Sequence, residues 1–66
     1  MKLELDETLL EQVRLYRATC AAVRELSDTS TADQIMDAHR LNDHAAIMLA
    51  IMFEQAVHFA EMEAAE

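Results

Sequence analysis

The sequence predicts an all-α protein, an antiparallel two-helix hairpin with a short first helix and a longer second one, assembling as a homodimeric four-helix bundle. Three observations predict it. The 66 residues include no glycine and no proline, so almost nothing interrupts a helix once it has begun. Apolar residues recur at three- and four-residue spacings along two stretches separated by one polar cluster, the pattern of amphipathic helices. Finally, a chain this short buries too little surface to be comfortably stable alone. Its single cysteine, Cys20, excludes a disulfide within the chain, which leaves metal or self-association as the staple.

The elements follow in order within one domain, residues 1–66. Lys2-Leu3-Glu4-Leu5 alternates in the manner of a strand but, four residues long and ahead of a helix, reads as a tail. Asp6 is placed as an N-cap for a first helix over about 7–27, with Leu5 and Leu10 positioned as a hydrophobic staple. Its apolar stripe is Leu9, Val13, Tyr16, Cys20 and Val23, widened by Leu15, Thr19, Ala22 and Leu26. The cluster Ser27-Asp28-Thr29-Ser30 supplies a turn at 28–30, because short polar side chains compete for backbone hydrogen bonds. Ser30 with Asp33 resembles a capping box that opens a second helix over about 31–64. The seam positions of that helix include Ile35, Asn42, Leu49, Met52 and Phe59, with Phe53 beside them. Asn42 is a polar residue in an apolar seam, a device that fixes register in helical assemblies; the alternative is a position at the solvated rim.

The two helices differ in length, and their lengths predict that the distal part of the second, from Leu49 to Met62, has no companion within the chain. From Ala45 to Phe53 every helical direction is apolar. Surplus apolar surface of this kind marks an interaction site, and a homodimer covers the seam.

Composition narrows the function. The net charge is −8, which disfavours phosphate-backbone binding and makes nucleic acid an unlikely partner. The longest apolar run, nine residues, falls short of the roughly 20 needed to span a bilayer. The N-terminus, Met-Lys-Leu-Glu-Leu-Asp-Glu, lacks the apolar core of a signal peptide. The expectation is a cytoplasmic protein without a membrane role.

Chemistry-bearing groupings are sparse. His39, His44 and His58 lie on the second helix, with His39 and Asp43, and Glu54 and His58, each four apart. Neither Glu-x-x-His nor His-Glu-x-x-His occurs, so no metal, cofactor or small-molecule substrate is expected. Cys20 lies on the apolar face, where a thiol is inert, and there is no glycine-rich phosphate loop. No enzyme activity is expected. Arg14, Arg17 and Arg24 form a short basic stripe on the first helix, whose ordinary role is pairing with carboxylates.

The segment Leu41-Asn42-Asp43-His44-Ala45, with Thr19, Leu26 and Gln34 in ungapped register and a similar length, resembles the Rop family of plasmid RNA-binding four-helix bundles. The resemblance implies the dimeric hairpin architecture. In that family RNA loops are read from the first helix by polar, aromatic and lysine side chains. Leu10, Arg14, Ala18 and Glu25 stand at the matching positions here and do not reproduce such a face.

The stripe best suited to recognition is the outer face of the second helix: Arg40, His44, Ile47, Met48, Ile51, Glu54 and His58. Mixed polar and apolar side chains with an adaptable methionine suit protein docking. The expected function is a non-enzymatic, protein-binding regulator or inhibitor, a small acidic homodimer that modulates a second protein bearing a basic surface. A phage- or plasmid-encoded inhibitor of a host nucleic-acid-binding regulator fits this description. The alternatives are an assembly adaptor or co-chaperone that folds with a dedicated partner, and a Rop-like RNA-binding bundle.

Overall fold

A computed structural model describes residues 5–65; Lys2, Leu3 and Glu4 of the expected tail lie outside the described residues. Two helices account for nearly all of these residues, α1 (Glu7–Arg24) and α2 (Ala32–Ala65). They pack against each other as a hairpin.

Helix α1 starts where its cap dictates. Asp6 is extended (φ −78°, ψ 171°), and its Oδ1 accepts from the Leu9 amide at 2.8 Å. This satisfies one of the free donors of the first turn and places a carboxylate at the positive end of the helix dipole. The helix ends at Arg24, three residues before the expected boundary at Ser27. Ser27 explains the shortening. Its Oγ accepts from the Thr29 amide at 3.3 Å, and its amide donates to Ser30 Oγ at 3.0 Å. The hydroxyls thus offer the backbone bonds that compete with another helical turn. No described residue has positive φ, so the connection closes without the left-handed position that glycine would serve.

The capping box that opens α2 sits one residue later than the Ser30 and Asp33 pair suggests. Thr31 donates its amide to Gln34 Oε1 at 2.9 Å, and Gln34 returns its amide to Thr31 Oγ1 at 3.1 Å. Glutamine reaches back where aspartate, one methylene shorter, does not. Ser30 is left to close the turn.

At about 1.5 Å per residue α1 is about 27 Å long and α2 about 51 Å. The described chain is correspondingly a rod of 56 × 14 × 14 Å with a radius of gyration of 15.7 Å, against about 11 Å for a compact domain of this length. A single hairpin has almost no interior: only Leu9, Ala45 and Ala60 are buried among the described residues. By length and composition α2 is long and apolar enough to cross a membrane, a property the nine-residue run alone did not convey.

A candidate docking surface on the second helix

The site is built on the register between the helices, which two sets of polar contacts fix. Gln12 Nε2 on α1 donates to the Ala45 carbonyl on α2 at 3.2 Å. One to two turns away, the Asn42 side-chain amide donates to Thr19 Oγ1 and to Cys20 Sγ, both at 3.1 Å. Thr19 in turn donates to the Tyr16 carbonyl at 2.9 Å. Asn42 therefore lies within the seam and bonds across it, the arrangement a sliding helix would break. The pKa of the Tyr16 phenol is raised from its ordinary value of 10.0, first by the neighbouring Cys20 side chain and then by partial desolvation.

At the first of these contacts the helices approach closely, and Ala45 is 1% exposed. Of the remaining seam positions, Val13, Tyr16, Cys20, Val23, Asn42, Leu49 and Met52 are half-buried. Ile35, Phe53 and Phe59 stay exposed in the single hairpin. Ile35 lies in the first turn of α2 and Phe59 near its free end, whereas Phe53 flanks the seam. An open, almost wholly apolar groove of about 470 Å³ runs along one side of the hairpin, lined by Leu5, Leu9, Val13 and Tyr16 and, on α2, by Ala46, Leu49, Ala50 and Phe53.

The outer stripe divides into two parts. Arg40, His44 and Ile47 share a shallow recess of about 570 Å³ with Ile35, Met36, His39 and Asp43. Arg40 is held by Asp37, Nη2 to Oδ1 at 3.2 Å. Glu54 and His58 belong to a separate recess of about 420 Å³ with Gln55 and Phe59, where the His58 and Phe59 rings lie 6.0 Å apart. Met48 and Ile51 are exposed between the two. Met36, the most exposed large apolar residue described at 68%, joins the first recess although sequence reasoning did not assign it there. Its spacing of four from Arg40 and eleven from Ile47 was the available signal.

Among the described residues no group of three or more His, Cys, Asp or Glu side chains is disposed to hold a metal ion. Arg14 lies 3.8 Å from Glu7; Arg17 and Arg24 form no ion pair among the described residues.

Compared with known proteins, the chain matches no family model, no curated protein and no solved structure. The likeness to the Rop family therefore rests on the shared residues and the hairpin alone.

Proposed function

We propose that this chain is a non-enzymatic, protein-binding regulator, built as a homodimer of hairpins that form a four-helix bundle and acting in the cytoplasm on a partner with a basic surface. The observation that carries this reading is that the hairpin exposes two apolar surfaces on different sides of α2. The groove lined by Leu9, Val13, Leu49 and Phe53 has the composition of a bundle interior and suits a second copy. Ile51 lies two residues from Phe53, about 200° around the helix, and with Ile47 and Met36 remains outside such a bundle. Ile47 is 60% exposed, surface that a monomeric soluble protein seldom leaves in a contiguous patch.

The net charge of −8 favours basic partners and steers their approach. The Rop-like alternative draws on the three first-helix arginines, one of which lies beside Glu7. The adaptor alternative uses the same groove for a different chain, and it differs in predicting loss of the homodimer when the partner is present.

The test is quantitative capture of partners by the wild-type protein and by Ile47→Asp/Ile51→Asp, both checked for helicity. Partners lost by the variant support the outer surface as the docking site. Equal recovery contradicts it.

A further inference from the structure

The free end of the rod differs chemically from the rest of the molecule. Leu9 lines a cleft of about 250 Å³ with Asp6, Thr8, Met52, Gln55, Ala56 and Phe59, so α2 continues beyond this level past the start of α1. Phe59 also lines the neighbouring recess with Glu54 and His58. The ring is 62% exposed and Met62, one turn on, is 52% exposed. Asp6 lines the first of these clefts and Glu54 the second, and Glu61 and Glu63 flank Met62 along α2. Of the basic side chains, His58 shares the recess with Phe59 and Arg14 lies 3.8 Å from Glu7.

We propose that this end of the hairpin is a docking site for a basic amphipathic helix, with Phe59 and Met62 taking its apolar face and the surrounding carboxylates its lysines or arginines. The proposal rests on the reading of the chain as protein-binding and specifies where the basic partner sits. An aromatic ring with two clefts beside it and a flexible thioether accommodates apolar side chains of varied shape. A helix laid on such a surface presents them at three- and four-residue intervals. The rim decides the sign of the partner. A second copy of this chain brings the same carboxylates to the contact and is repelled, and a phosphate backbone is repelled for the same reason. Phe59 lies six residues from Phe53, about 120° around the helix, and does not line the groove; unlike the seam position its spacing suggests, it stays accessible when two copies pair there.

The experiment titrates a fluorescent 18-residue helical peptide of leucine and lysine, patterned amphipathically, into the full chain and follows anisotropy. A second peptide has the same composition with its apolar face scrambled. Saturable binding of the amphipathic peptide supports the proposal if Phe59→Ser/Met62→Ser weakens it about tenfold and Glu61→Gln/Glu63→Gln reduces both affinity and salt dependence. Equal affinity for the scrambled peptide, or no effect of Phe59→Ser/Met62→Ser, overturns it, since charge alone then accounts for binding. Both variants alter exposed positions, and circular dichroism checks that they remain helical. Sedimentation of the same samples separates the two readings: a dimer that ignores the peptide removes only this proposal, while a monomer that binds it supports this proposal and removes only the homodimer.

Discussion

The middle of the hairpin and its free end are made from the same helix and behave as opposites. At the middle, Gln12, Thr19 and Cys20 on α1 meet Ala45 and Asn42 on α2 through directional bonds, and Ala45 disappears from solvent. At the free end, Phe59 and Met62 stand exposed among carboxylates. The comparison teaches that polar contacts set which residues face each other, while the number of helices at a given level sets how much apolar surface is covered. Helix α1 reaches Leu49, Met52 and Phe53, which the helix lengths had placed beyond it, yet two helices leave even this stretch half open. Beyond the start of α1 the large side chains of Phe59 and Met62 stay exposed, although the small Ala60 beside them is buried.

The sharpest way to break this comparison is to charge the groove. Phe53→Asp with Leu49→Asp is expected to abolish cooperative thermal melting, because a buried unpaired carboxylate costs several kcal/mol and a small domain has little more to lose. Phe53 is 49% exposed in one hairpin, so a lone hairpin would tolerate its replacement by aspartate; the loss depends on a second copy covering it. Next in size, Leu9→Ala is expected to lower stability by about 2–3 kcal/mol, measured by urea denaturation, since Leu9 is the one large apolar side chain buried among the described residues. Ala45→Leu overfills the close approach and is expected to cost about 1–3 kcal/mol in the same measurement. Asn42→Ala removes two cross-helix bonds and is expected to cost about 1 kcal/mol.

The smallest effect sharpens the polar side of the comparison. Cys20→Ala is expected to return the Tyr16 phenol toward 10.0, read by ultraviolet titration, because Cys20 is the leading cause of its raised pKa. The sign is that of an acid held protonated by the fold. Its contribution to stability is complete below pH 10 and fades as pH rises through the folded pKa.

Much of this was legible in the residues. Asp6 announced the start of α1, because a short carboxylate before an amphipathic stripe has one good use there. Thr31 was harder. Ser30 with Asp33 and Thr31 with Gln34 offer two overlapping caps, and only the reach of the N3 side chain separates them. The end of α1 was obscured because no glycine or proline marks it and the competing bonds come from Ser27 and Ser30, whose hydroxyls serve helices and turns alike. In the site, periodicity placed Arg40, His44 and Ile47 on one surface but could not show that Glu54 and His58 belong to a separate recess. That division follows from Phe59, whose ring stands beside His58. The charge beside Phe59 also escaped a reading along the chain, because Asp6 comes to the level of Gln55 and Phe59 only when the hairpin closes.

The central claim is that one hairpin cannot hold itself together and that its groove takes a second copy. Sedimentation equilibrium of the purified chain tests it most directly. A cooperatively melting helical species of about twice the 7.5 kDa chain mass is the expected result, and a fully helical, cooperatively melting monomer would contradict it.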